Sequence, residues 1–132
     1  MEEPRWLLDE VVTAIHKRQL AEHGGLDGIR DPGMLSSALA RPKNVFAYSQ
    51  PKPDLATLAA AYAFGINKKH PFIDGNKRTA YVLCRTFLLL NGRDIEASDV
   101  EKYQTFIGVA DGSIDELPLA EWIRSRLTPA NP

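Results

Sequence analysis

Five polar residues within nine positions, His70, Asp74, Asn76, Lys77 and Arg78, stand directly before a strongly apolar run, residues 79–90. Polar groups set against a core cost free energy unless they are paired or used. Gly75 permits a sharp turn with positive φ, and Asn76 then begins a helix. The first turn of a helix carries unpaired N–H groups and the positive end of the macrodipole, which makes it an anion site. Lys77 adds a mobile point charge there. Arg78 adds a fork able to grip two phosphate oxygens, and Asn76 can donate from its amide. From Lys68 to Arg78 four cations face one carboxylate, a balance that suits a polyphosphate. That carboxylate, Asp74, fits a Mg²⁺ shared with a nucleotide, since Mg²⁺ binds through one or two carboxylates plus phosphate oxygens. His70 is placed to act as general base on a hydroxyl attacking phosphorus. Phe72, between them, reads as the loop's anchor in the core. No G-x-x-x-x-G-K-[ST] string is present, so the chain is not an ordinary P-loop protein.

The elements that must hold these residues are helical nearly throughout. Apolar residues Leu7, Leu8, Val11, Val12, Ile15 and Leu20 predict a helix over about 6–23, ended by Gly24 and Gly25. His16 and His23 on it read as surface histidines. Asp31 before Pro32 is an N-cap with proline at the first helical position. The short helix that follows carries Met34, Leu35, Ala38 and Leu39 and is expected to stop near Arg41 and Pro42. The next segment, RPKNVFAYSQPKPD, has three prolines and no helical period. It reads as a functional loop, with VFAY as a short strand or hairpin arm. Asp54 caps a helix over 55–69 that is apolar on almost every face and therefore central. A second central helix runs from Asn76 to Leu90 and ends at Asn91 and Gly92. Capping-box spacing from Ser98 to Glu101 and from Ser113 to Glu116 starts two more helices, although Pro118 would let the last one slip to Leu117. Residues 128–132 are expected to be frayed. The fold class is all-α: one domain over 1–132, a compact bundle of about six helices with at most one small β-hairpin flap.

Composition narrows the partners. The 132 residues are 44% hydrophobic and 25% charged, with a net charge of −1. That balance argues against a general nucleic-acid or membrane-surface binder, and a basic recognition helix for DNA is missing. Three scattered histidines are too few for a His-Asp metal hydrolase. The single cysteine, Cys84, excludes an intrachain disulfide and reads as a small core residue. The acidic start lacks a signal-peptide run, and the apolar run at 82–90 is interrupted by Arg85 and too short to span a bilayer, so the chain is expected in the cytoplasm. Arg85 needs a partner, either a structural ion pair or a group of the site. Asp27, Arg30 and Asp31 are read as fixing their turn more than contacting substrate. Trp6 and Trp122 are read as packing residues. Lys43, Lys52, Lys68 and Lys69 are expected to form a basic rim.

The string HPFIDGNKR, residues 70–78, resembles the Fic/Doc superfamily motif, H-x-F-x-[DE]-G-N-G-R-x-x-R. It matches at His70, Phe72, Asp74, Gly75, Asn76 and Arg78. Lys77 stands where the Fic form has glycine, and Tyr81 where it has the second arginine. Both departures are similar to the Doc (death-on-curing) branch, H-x-F-x-[DN]-[AG]-N-K-R. Residues 24–42 resemble the segment upstream of the motif in Doc toxins, and residues 58–72 their helix into it. The likeness spans most of 5–127. It implies a type II toxin that transfers the γ-phosphate of ATP, with Mg²⁺, to a threonine of elongation factor Tu and so arrests translation. His70 would be the general base, Asp74 the Mg²⁺ ligand, and Gly75, Asn76, Lys77 and Arg78 the phosphate-binding group. Asn44, Val45, Phe46, Ala47 and Tyr48 would form a flap that docks the target backbone by strand pairing. No inhibitory motif [ST]-x-x-x-E-[GN] is present, so a separate Phd-type antitoxin is implied, its C-terminal segment folding onto the toxin. Replacing glycine by Lys77 fills space near the phosphates and adds charge, which can change which phosphorus meets His70. Adenylyl transfer and a non-catalytic binding module on the same fold are the rival readings.

Overall fold

The computed structural model describes residues 2–131 and contains six helices and one small sheet. In chain order these are α1 (Asp9–His23), α2 (Pro32–Tyr48), α3 (Leu55–Lys69), α4 (Asn76–Leu90), β1 (Arg93–Ile95), α5 (Asp99–Asp111), α6 (Glu116–Ser125) and β2 (Leu127–Pro129). The all-α bundle expected from the pattern is what forms.

The sequence LATLAAAYAFGINKK puts small residues on most faces of α3, so neighbours approach from all sides. α2, α4, α5 and α6 all pack against it. Leu58, Tyr62 and Ile66 of α3 meet a core that includes Leu83, Phe87 and Leu88 of α4 and Leu119 and Ile123 of α6. The Tyr62 hydroxyl keeps a partner by accepting Leu7 N–H at 3.2 Å. Trp6 stacks near Phe87 and Trp122 meets Phe106 edge-on, so both tryptophans pack. Cys84 is buried, and burial pushes its thiol up to about 12, which makes it an inert core residue.

Several local signals were overridden. The first helix begins at Asp9; Leu8, at its N-cap, is extended. α2 does not stop at Arg41: it runs through Pro42 to Tyr48, so Asn44, Val45, Phe46, Ala47 and Tyr48 are helical and form no strand or hairpin arm. Proline inside a helix costs about 3 kcal/mol. Ala38 and Pro42 are buried, and Val45 and Phe46 pack against the core; burial of a large apolar side chain returns roughly 1.5–3 kcal/mol. The lost turn is thereby offset. Lys52 also closes the end of α2, donating to the carbonyls of Phe46 and Ala47.

The sheet lies elsewhere. β1 pairs antiparallel with β2, Ile95 opposite Leu127 and Arg93 opposite Pro129. The tail is thus tied down: Ala130 N–H donates to Gly92 O at 3.0 Å. Only Pro132 of the segment expected to fray lies outside the described residues. α6 starts at Glu116 with Asp115, not Ser113, at its N-cap. With that start Pro118 falls in the first turn, where its missing N–H leaves no helical bond unmade. Ser113 instead donates to Gly108 O within the preceding turn. No helix among the described residues is long and apolar enough to cross a membrane.

Asp54 joins two elements. Its Oδ1 caps α3 through Thr57 N–H at 3.0 Å, and Arg124 of α6 donates to Oδ2 at 2.6 Å. The Arg124 hydrogen bond holds its carboxyl well below the usual carboxylate range, burial opposing and Thr57 assisting. The pair is half-exposed and therefore worth only about 0.2–1 kcal/mol, with the cap adding about 1 kcal/mol. Asp54→Asn should cost about 0.5–1 kcal/mol at pH 7 and Asp54→Ala about 1–2 kcal/mol in urea unfolding. Because the folded carboxyl titrates below the unfolded one, the Asn penalty should be full above about pH 4 and shrink as the pH falls further.

Candidate functional site

The loop between α3 and α4 is held at four points. At its entry His70 ends α3 in the left-handed region, φ 47°, the one non-glycine residue with positive φ among those described. Arg30 explains how it stays there: Nε donates to His70 O and a terminal nitrogen to Lys69 O, both at 2.7 Å. The fork satisfies two carbonyls at the helix end and complements its negative dipole. Next, the 24–31 segment runs alongside. Arg30 and Asp31 N–H groups donate to Pro71 O, Ile73 N–H donates to Gly28 O, and Ile29 bridges Phe72. Asp31 caps α2 through Met34 N–H, and Asp27 accepts Gly28 N–H. All three charged residues of this segment fix the turn, as expected.

Phe72 is the third point. It is 1% exposed, and its ring stacks on His16 at 3.8 Å and 10°. His16 is the residue that sequence reasoning missed. It is not on the surface but buried, with Nε2 2.8 Å from Asp74 O. Since a carbonyl only accepts, Nε2 carries the proton. A signal existed: Val12, His16 and Leu20 recur at four-residue spacing on the buried face of α1.

Asn76 is the fourth point. Its Oδ1 accepts Phe72 N–H at 3.0 Å and its Nδ2 donates to Phe72 O at 2.9 Å. The amide expected to reach phosphate is therefore engaged in closing the loop. Gly75, φ 76°, makes the final turn. A Cβ there would come 3.3 Å from Leu20 and 3.7 Å from the His16 ring, so both conformation and space favour glycine.

What this leaves open is the start of α4. It has neither a side-chain cap nor an acidic residue in its first turn, whereas each of the other five helices has one or the other. Its first backbone bond runs from Thr79 N–H to Gly75 O, so the N–H groups of Asn76, Lys77 and Arg78 precede it. Lys77 and Arg78 are exposed, and Arg78 makes one long contact, 3.4 Å to Gly24 O. His70, Asp74, Gly75, Asn76, Lys77 and Arg78 all line one cleft of about 970 Å³. α5 supplies the opposite wall with Lys102, Tyr103, Phe106 and Asp111. Asp111 is held below the usual carboxylate range, chiefly by Ser113 and more weakly by Lys77. Tyr81, where a second arginine would stand in the Fic form, packs edge-on to Phe106 at 4.9 Å, and burial raises its hydroxyl.

Asp74 commits only Oδ2 among the described residues, accepting Leu26 N–H at 3.1 Å. No group of three or more His, Cys, Asp or Glu is arranged to hold a metal among those residues. Asp74, one carboxylate beside the free N–H groups of α4, would fit a Mg²⁺ ion, which takes one or two carboxylates and completes its shell with phosphate oxygens or water. The remaining candidates lie apart. Asn44–Tyr48 do not line the cleft. Arg85 pairs with Asp94 through Nε–Oδ1 at 3.0 Å and a second bond at 3.1 Å, so it is structural. The basic rim is partly engaged: Lys52 closes α2, and Lys68 sits over Phe64.

His16→Phe keeps an aromatic ring against Phe72 but removes the donor to Asp74 O. It should lower stability by about 1–2 kcal/mol in urea unfolding, and hydrogen exchange should show faster opening of residues 71–76 than of α6.

Comparison with known proteins identifies a family for the chain. The Fic/DOC family model matches residues 6–88. The chain is 32% identical over 120 residues to "Protein kinase doc" of Escherichia phage P1, covering 91% of this chain and 94% of that protein. It is 33% identical over 98 residues to "Toxin Doc" of Mycolicibacterium smegmatis, covering 71% and 75%.

Proposed function

The chain belongs to the Fic/DOC family, on its Doc side, and we propose that it is the toxin of a toxin–antitoxin system that transfers the γ-phosphate of ATP to a hydroxyl of a protein. The observation that carries this reading is the uncapped start of α4, bearing Lys77 and Arg78 and opening into the cleft that His70 lines. Phosphoryl transfer needs little covalent help from the protein. It needs positioning and charge neutralisation.

Each residue then has a task. The N–H groups at the start of α4, with Lys77 and Arg78, hold phosphate oxygens. Gly75 lets the backbone turn close under them. Asn76 acts through the loop, fixing Phe72 so that His70 and Asp74 stay on one side of the cleft. Asp74 would hold Mg²⁺, which when bound neutralises charge on the phosphates. His70 takes the proton from the target hydroxyl as its oxygen bonds to the γ-phosphorus; the bond to the bridging oxygen breaks and ADP leaves. The fork of Arg30 holds His70 in its unusual backbone conformation for that task.

Lys77 favours γ-transfer over adenylyl transfer, because it occupies space that a glycine would leave for close approach of phosphate. Tyr81 adds no second cation. The threonine of elongation factor Tu is the proposed target, and a Phd-type antitoxin is the proposed restraint, its C-terminal segment covering the cleft. Asn44–Tyr48 are helical and offer no strand edge, so docking of the target by strand pairing is not part of this reading.

His70→Ala should lower transfer by about 100-fold or more while keeping Mg–ATP binding and the melting temperature. With γ-labelled and α-labelled ATP in parallel, label should enter the target only from the γ position; entry from the α position alone would identify an adenylyl transferase. Expression of the chain by itself should arrest growth, and co-expression of a short adjacent reading frame should relieve the arrest. A His70→Ala variant as toxic as the wild type would point to a binding module instead.

A further inference from the structure

Asn67 lies on α3, three residues before His70, and lines the same cleft while remaining 6% exposed. It falls outside the 70–78 string and has no role in clamping the loop. Its Nδ2 is fully buried and has no hydrogen-bond partner among the described residues. A buried donor without a partner is destabilising, and such groups in folded proteins call for an explanation. Leucine has the same branching and the same number of side-chain heavy atoms, is somewhat bulkier, and carries no polar group to leave unpaired. An amide kept there needs an acceptor that arrives with something else.

The surroundings indicate what arrives. The neighbouring end of the cleft offers donors and cations, namely the first turn of α4, Lys77 and Arg78, beside the carboxylate of Asp74. A complementary ligand is rich in acceptor oxygens. Asn67 stands about one helical turn from His70, so its nearest ligand atoms are those at the reacting centre, not those of a base or ribose further along. Only Nδ2 is among the fully buried unpartnered atoms; a half-turn about Cβ–Cγ exchanges the two ends of the amide, bringing Nδ2 toward an acceptor that enters the cleft and putting Oδ1 in its buried place.

We propose that Asn67 donates a hydrogen bond from Nδ2 to an oxygen of the phosphate group that is transferred, making it a further ligand-binding residue of the cleft. This rests on the nucleotide-transferase reading above. The bond forms only with ligand present, so stability and binding oppose each other at this one position.

That opposition is the test. Titration calorimetry with Mg–ATP and with Mg–tripolyphosphate, together with thermal melts, would compare wild type, Asn67→Leu and Asn67→Ser. The Leu variant should melt at the same or a higher temperature yet bind both ligands about tenfold more weakly or worse. The Ser variant, which still folds around a small polar group, should show the same loss of binding if the Leu variant fails to fold. Unchanged affinity for both ligands, with a raised melting temperature, would make Asn67 a tolerated core amide and overturn the proposal while leaving the transferase reading intact. A wild type that binds neither ligand would remove that reading and this proposal with it.

Discussion

Two buried helices must meet at a short turn without using up each other's polar ends, and the rest of the structure follows from that constraint. α3 ends in free carbonyls and α4 begins with free N–H groups. Had the loop satisfied both, no free N–H groups would open into the cleft. Arg30 instead takes the carbonyls of Lys69 and His70, while the start of α4 is left uncapped. The loop is fixed from the outside, by His16 of α1, by the 24–31 segment and by Asn76 across its own width. The positive end is therefore rigid and open at once. Preorganised donors of this kind lose nothing to reorganisation when charge arrives.

The core explains why such a loop can be rigid. α3 is buried on nearly every face because many of its residues are small, and α2 packs over Gly65, where an added Cβ would just reach ordinary contact with Ala38 O at 3.4 Å. α2 therefore continues through Pro42 instead of breaking. α4 is anchored by Leu83, Phe87 and Leu88 below and by the Arg85–Asp94 pair to β1. Motion at the start of α4 would have to disturb this packing, and interiors packed to crystal density resist it.

Elements defined by local chemistry were legible in the sequence. The bounds of α3 and α4, the caps at Asp31, Asp54 and Ser98, and the positive φ of Gly75 all depend on residues within a few positions of one another. What required a distant partner was not legible. Pro42 reads locally as a stop, and only burial against α3 reverses it. Residues 128–132 read as a tail, and only pairing of β2 (Leu127–Pro129) with β1 makes a strand at their start. His16 reads as one more surface histidine until Phe72 and Asp74 are brought to it from α3 and its loop. Asn76 shows a subtler limit. Its amide was expected to reach phosphate, but a donor and acceptor on one amide suit a backbone clamp as well as a phosphate, and the sequence holds both options open.

The distribution of unfavourable terms is itself evidence about where function lies. A missing helix cap costs about 0.5–2 kcal/mol, a left-handed non-glycine residue about 1–2 kcal/mol, and each unpartnered buried polar atom about 1–3 kcal/mol. α1 and α6 also lack a side-chain cap, but only α4 among the described helices lacks a first-turn acid as well, and near it stand His70 at φ 47° and the unpartnered Asn67 Nδ2 and Thr79 Oγ1. The other helix starts are capped or carry an acid. Random imperfection would scatter such costs over the molecule. Thr79 apart, these groups line one cleft, and under the proposed phosphate-transfer reading an acceptor-rich anion would recover several of these terms on binding: it would pair the free N–H groups, neutralise Lys77 and Arg78, and give Asn67 an acceptor.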